Sequence, residues 1–350
     1  MIVTQFPDRI LKIDDEKYLY FGGTAYLGLP PNKKFQKILL KNIHRWGTAY
    51  GSSRNANIQL SAYEKGETFL AQLIQAEAAV TVSSGMLAGQ LVLDTLKTEN
   101  TVFYHFPETH TAIKYADSNP FYINNSINPQ LLDEKREKIC ILTDAVPSNT
   151  VKAVDLSILA QIPNQKEITL VIDESHSLGI LGSNGCGIFS NINYPNIKQK
   201  IMVSSLGKAI GLSGGVIASN ADFIKKIRTN SIFVSSAGMN PAFVNTLADA
   251  EKLYKKQQKK LQEKLAYISA KLLPNNNILF NENYPVIYPK IENINTILAS
   301  KKIIITNFKY ASETDYLNRI IITANHKKKD LDKIIQILNQ YKSKDELTKL

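Results

Sequence analysis

Cysteine is nearly missing from this chain: two residues, Cys140 and Cys186, occur in 350. Neither belongs to a CxxC pair or lies close to a spaced set of histidines, which excludes a disulfide framework and a structural zinc site and fits a reducing compartment. The five histidines are scattered as well, so no metal site is expected. No apolar run reaches the roughly 18 residues of a membrane span, and the first nine residues lack a basic start followed by an apolar core. A soluble, cytoplasmic protein with no membrane partner is therefore expected. Internal repeats and low-complexity linkers are also absent.

Acidic residues are the minority charge. Asp and Glu number 31 against 42 Lys and Arg, a formal charge of +11. The excess is mostly lysine, gathered at 252–264 and 327–349. Such runs attract polyanions in principle. Without interleaved aromatics or a recognised binding motif they read better as the solvated faces of helices, and no nucleic-acid partner is expected. What is present is ordinary for a globular protein, 44% hydrophobic and 21% charged. At 350 residues the chain exceeds one typical core, so a large domain with a smaller companion is expected.

Apolar, β-branched runs recur between helical stretches at 79–82, 101–106, 139–143, 169–172, 200–204 and 215–218. Strands that alternate with helices need crossover connections, which gives an α/β fold with a mainly parallel central sheet and helices on both faces. Ligands in such folds sit beyond the carboxyl ends of the strands. From 241 to 273 one or two charged helices follow; short strands at 286–288, 302–306 and 319–323 then lead to an amphipathic helix over 329–341. This tail reads as a smaller α+β domain. The expected division is an N-terminal segment 1–45, a large domain 46–240 and a small C-terminal domain 241–350.

Two strand ends carry the chemistry. Val171-Ile172-Asp173-Glu174-Ser175-His176 and Val203-Ser204-Ser205-Leu206-Gly207-Lys208 each end an apolar run in polar residues, so Asp173, His176 and Lys208 should converge at one sheet edge. An amine, a carboxylate and an imidazole gathered there suit pyridoxal 5′-phosphate: lysine for an imine, carboxylate for the pyridinium nitrogen, imidazole near the ring oxygen. A P-loop is excluded because Met202 and Ala209 stand where it needs Gly and Ser or Thr. A structural lysine stays open, although Gly207, Gly211, Gly214 and Gly215 around it imply backbone crowded against a planar group or kept clear of one. Asp173 alone could be a cap or a structural acceptor; a cationic ring nitrogen is the partner that a buried carboxylate needs. Ser84, Gly85 and Met86 join a strand to a helix start, where amides and a hydroxyl can face a phosphate. His110 follows the strand at 101–106 and could stack on a cofactor ring, although lone histidines are more often structural.

With those residues placed, the chain resembles the α-oxoamine synthases, fold-type-I pyridoxal-phosphate enzymes that include 8-amino-7-oxononanoate synthase, 2-amino-3-ketobutyrate CoA ligase and serine palmitoyltransferase. Tyr26-Leu27-Gly28-Leu29 is like the family's NYLGL, Gly51-Ser52-Ser53-Arg54 like GGSR, Ser84-Gly85-Met86-Leu87-Ala88 like SGFAA, and Thr109-His110-Thr111-Ala112 like SHAS. Asp173-Glu174-Ser175-His176 resembles DEAH, Gly185-Cys186-Gly187 resembles GRG, and Ser205-Leu206-Gly207-Lys208 resembles TFGK.

The resemblance implies a fold-type-I large domain with a smaller α+β C-terminal domain, and a transferase that condenses an amino acid with an acyl-CoA, usually with decarboxylation. It implies Lys208, His110 and Asp173 as catalytic residues. Ser84, Gly85, Met86 and Ser205 would hold the phosphate, Ser148 and His176 would approach the ring oxygen, and Ser235 and Ser236 would reach the phosphate of the neighbouring subunit in a homodimer. Departures bear on substrate: Ala25 and Gly89 replace family asparagines, Tyr63 stands where many members carry histidine, and the carboxylate-clamping arginine, sought about ten residues before Arg319, has only Asn307 and Lys309 nearby. Lysine cannot reproduce a bidentate guanidinium fork. Two alternatives follow, an aminotransferase of class I/II type and a non-catalytic binding or regulatory protein with the same cofactor fold.

Overall fold

The computed structural model describes residues 2–309 and 316–341. The chain divides into two compact units, one built from Lys34–Ser148 and Ala153–Lys252, the other from the described residues of Met1–Lys33, Asn149–Lys152 and Leu253–Leu350.

In the first unit all six apolar runs form strands of one seven-stranded sheet, in the order Ala78–Val82, Gly215–Ser219, Ile197–Ser205, Lys166–Asp173, Glu137–Asp144, Val102–His105 and Asn119–Pro120. The pairings among the last five are parallel, whereas Gly215–Ser219 runs antiparallel to both its neighbours. The strands are apolar on both faces because both faces are covered: Leu170, Val171, Ile172, Ile201 and Val203 are fully buried. Helix Gly85–Leu96 lays Leu91 and Val92 on this sheet. The register places Asp144 opposite Asp173, and Asp173 opposite Val203. Three strands thus end together, with their polar residues side by side.

The second unit is a six-stranded sheet in the order Ile10–Ile13, Glu16–Phe21, Ile303–Phe308, Leu317–Ile321, Val286–Pro289 and Ile278–Phe280. The hairpin at 10–21 is not signalled by alternation in the sequence; its place comes from parallel pairing of Leu19–Phe21 with Ile303–Ile305, far away in the chain. Helix Lys328–Leu338 buries Leu331, Ile334, Ile335 and Leu338, the spacing of one helix face. In helix Glu251–Ser269 the buried residues include Leu253, Leu261, Leu265 and Ile268, while Lys252, Lys255, Lys256 and Lys259 are exposed. That basic run is a solvated helix face. The other basic run passes beyond Tyr341 and there lies outside the described residues.

Candidate active site

The turn after strand Lys166–Asp173 is held from three sides. Asp173 is 7% exposed, and its Oδ1 accepts the Ser175 amide at 2.8 Å. Its carbonyl accepts the Ala145 amide at 2.8 Å. Ser175 Oγ in turn accepts the Ser205 amide at 2.7 Å, which ties this strand end to the next. Glu174, fully buried, accepts the Ile188 and Phe189 amides at 2.8 and 2.7 Å and the Ser177 hydroxyl. Gly187 passes so close that a Cβ there would lie 2.3 Å from the Glu174 carboxylate, and its φ of +82° is one that favours glycine. Burial pushes the Glu174 carboxyl up to about 7 despite those donors.

This clamp brings the two sequence segments together. Lys208 Nζ lies 2.8 Å from His176 Nε2, and both side chains are half-buried. Among the described residues Oδ2 of Asp173 takes no hydrogen bond, so a nearly buried carboxylate keeps one acceptor for a group from outside the chain. Of the three residues expected to converge, Lys208 and His176 are in contact, and Asp173 closes the strand whose following turn carries His176.

The helix start expected to face a phosphate packs against the strand end at Ser205. Ser84 caps helix Gly85–Leu96, its Oγ accepting the Leu87 amide at 3.1 Å. A Cβ on Gly85 would come within 2.8 Å of Ser205 Cα and Cβ, so glycine is what lets the helix start pack on the strand end. Ser205 Oγ accepts the Gly207 amide at 3.3 Å. The amides of Gly85 and Met86 stand at the positive end of a twelve-residue helix. Two of the four glycines near Lys208 serve the protein's own packing: a Cβ on Gly214 would meet Met239 Sδ at 2.4 Å, and one on Gly215 would meet the Ser84 carbonyl at 2.2 Å. Their presence therefore needs no planar ligand.

His110 is exposed; its amide donates to Asp144 Oδ1 at 3.0 Å, and its Nδ1 accepts the Ala112 amide at 3.2 Å. Ser148 is half-buried in the segment after strand Glu137–Asp144. Ser235 ends the short helix Ser231–Ser235 and is exposed, Ser236 follows it half-buried, and neither hydrogen-bonds to the lysine cluster. Asp144 was not singled out from sequence. The signal was there, since Thr143-Asp144 closes an apolar strand in the manner of Ile172-Asp173.

The substrate-side departures have structural partners. Tyr63 donates to the Met239 carbonyl at 2.9 Å, and the Arg54 guanidinium lies 3.6 Å from its ring centre. Arg54 pairs with Glu67 at 2.9 Å, and Glu67 also takes Arg228 at 2.6 Å and both the amide and hydroxyl of Thr81 at 2.8 Å. A cavity of about 940 Å³ borders Arg54, Glu67 and Arg228, but no residue of the lysine cluster lines it. In the smaller unit Asn307 donates to Asn318 at 2.8 Å, and Lys309 is exposed. Arg319 is 7% exposed and lies 4.7 Å over the Phe308 ring, and among the described residues its Nε has no hydrogen-bond partner. No carboxylate among the described residues engages its fork, which is the donor geometry a carboxylate calls for.

Residues 18–338 match the family model of aminotransferase class I and II. A putative 8-amino-7-oxononanoate synthase of Rippkaea orientalis is 24% identical over 358 residues, covering 97% of this chain and 93% of that protein. The 8-amino-7-oxononanoate synthase of Petrotoga mobilis is 26% identical over 351 residues, covering 92% and 88%. Among solved structures, a serine palmitoyltransferase variant from S. paucimobilis with a bound PLP–myriocin aldimine superposes with a TM-score of 0.80 at 15% identity, covering 97% of this chain and 91% of that one.

Proposed function

The chain belongs to the aminotransferase class I and II family, and from that premise we propose that it is a pyridoxal-phosphate-dependent acyltransferase joining an amino acid to an acyl-CoA. The observation that carries this reading is the 2.8 Å approach of Lys208 Nζ to His176 Nε2 at the strand end that also bears Asp173. The curated relatives named 8-amino-7-oxononanoate synthase support the acyl-transfer class.

Bound pyridoxal phosphate supplies an aldehyde that captures amines and a protonated ring that accepts electron density from Cα. The residues present fit it: Asp173 keeps an acceptor that would take a ring N–H⁺, Ser84, Gly85, Met86 and Ser205 would hold the phosphate at a helix start, and His176, beside Lys208, would donate to a ring oxygen. Lys208 would hold the cofactor, its amine would serve as the base for the Cα proton, and His176, 2.8 Å from Nζ, would orient that amine. His110 would cover the ring face and Ser148 would approach the ring oxygen. Ser235 and Ser236 would serve the phosphate of a second subunit in a homodimer.

Transamination is the second reading, kept because the matching family model is named for it. There Lys208 would move the proton from Cα to the cofactor carbon, and no thioester would be consumed.

The experiment is direct. Purified protein should be yellow, borohydride should fix the cofactor to Lys208 by mass spectrometry, and Lys208→Ala should keep only dialysable cofactor. Adding amino acid with a series of acyl-CoA thioesters should release free CoA from the wild type. A colourless protein that rejects added cofactor sinks the whole reading; amino acid alone converting the aldehyde cofactor to its amine form would leave transamination in its place.

A further inference from the structure

Two carboxyls end neighbouring strands in this site, while the ring nitrogen needs only one. Asp144 and Asp173 are register partners, 6% and 7% exposed, and on both side chains Oδ2 takes no hydrogen bond among the described residues. Asp144 Oδ1 accepts the main-chain N–H of His110. The rest of that loop is anchored independently. The Phe106 amide and the Thr109 hydroxyl both reach the Leu142 carbonyl, at 2.9 and 3.2 Å. Gln90 Nε2 holds the Ala112 carbonyl at 3.0 Å. A Cβ on Gly89 would lie 2.2 Å from that same carbonyl, so the family asparagine is missing here because the helix and the His110 loop touch. His110 accepts the Ile113 and Lys114 amides at its carbonyl and the Ala112 amide at Nδ1, all from its own loop; Asp144 is what ties it to the sheet.

We propose that Asp144 is a positioning residue that acts by hydrogen bonding and not as a charge: one carboxyl oxygen fixes His110 by its amide, and Asp173 on the neighbouring strand is the carboxyl left to face the ring nitrogen. Four groups face Asp144: Asp173 on the adjacent strand, Lys208 on the loop after strand Ile197–Ser205, and Glu108 and the His110 amide on the loop above it. Burial foremost, then the charge of Asp173, push the Asp144 carboxyl well above the usual carboxylate range; the His110 amide and Lys208 act the other way, and Glu108 adds to the rise. The two carboxyls end neighbouring strands in register and are both nearly buried, an arrangement in which each disfavours the other's ionised form.

This inference rests on the cofactor reading, and the test separates the two. In Asp144→Asn the amide oxygen still accepts from His110 and the side chain stays neutral; Asp144→Ala removes both. Cofactor dissociation is measured by equilibrium dialysis, and the pH midpoint of the lysine-bound chromophore by absorbance without substrate. Exchange of the amides at 108–113 is followed in cofactor-free protein. The Asn variant should match wild type in midpoint and binding, whereas the Ala variant should bind cofactor about fivefold more weakly, the size of one lost hydrogen bond, and exchange the His110 amide faster.

An Asn variant as impaired as the Ala variant would show that Asp144 acts as a charge and overturn the proposal. An Ala variant equal to wild type would do the same. Should the Ala variant fail to fold, the midpoint of the Asn variant decides alone. If wild type itself takes up no cofactor, the functional reading falls, and the exchange comparison of wild type with the variants still decides whether Asp144 holds His110.

Discussion

Glu174 follows Asp173 directly yet points the other way, into a closed shell of two amides and the Ser177 hydroxyl. Its carboxyl is raised by burial from an ordinary 4.5 to about 7. The folded state therefore holds more protons than the unfolded one between those values. Its contribution to stability is complete below about pH 4.5 and is lost as pH rises through about 7. Glutamine suits the same shell, with Oε1 taking the two amides and Nε2 facing Ser177. Thermal melts of Glu174→Gln should lose this part of the decline between pH 4.5 and 7, and the variant should be at least as stable as wild type at pH 8. A wild-type slope unchanged in the variant would place the titration elsewhere.

At the scale of elements, Glu67 joins three pieces of the large unit. It leaves helix Ser61–Ile74, pairs with Arg54 of the preceding loop, reaches Thr81 in edge strand Ala78–Val82, and takes Arg228 from helix Ala221–Thr229. Arg54 and Glu67 side chains are 4% and 5% exposed. Breaking a buried pair leaves an unpaired charge in a dry setting, which costs more than the pair is worth against apolar neighbours. Glu67→Ala should lower unfolding stability by about 3–5 kcal/mol in urea, while Lys208 and its neighbours, which share no hydrogen bond with this network, keep their cofactor chemistry in whatever protein stays folded. A loss below about 1 kcal/mol would mean that water already reaches the pair. The sequence displayed Arg54 only as part of a motif: its partners Glu67 and Thr81 lie 13 and 27 residues further on, and Arg228, which shares Glu67, comes from 161 residues beyond it.

At the scale of the whole molecule the homodimer is the open expectation. Ser235 ends a short helix that exposes Ile232 and Val234, and Ser236 follows it. Light scattering at micromolar protein should give twice the chain mass of 39.1 kDa; a monomer that still binds cofactor would remove Ser235 and Ser236 from the phosphate site. Much of the rest could be read along the chain. Both-face burial writes strands as continuous apolar runs, and a polar residue that closes such a run marks a sheet edge, so the strands of the large sheet and the approach of Lys208 to His176 were legible in local pattern. The hairpin at 10–21, the pairing of Asp144 with Asp173, the close contact that demands Gly89 and the buried Arg319 were decided only in three dimensions. Each depends on which distant backbone lies a few ångströms away, and neither periodicity nor residue type carries that distance.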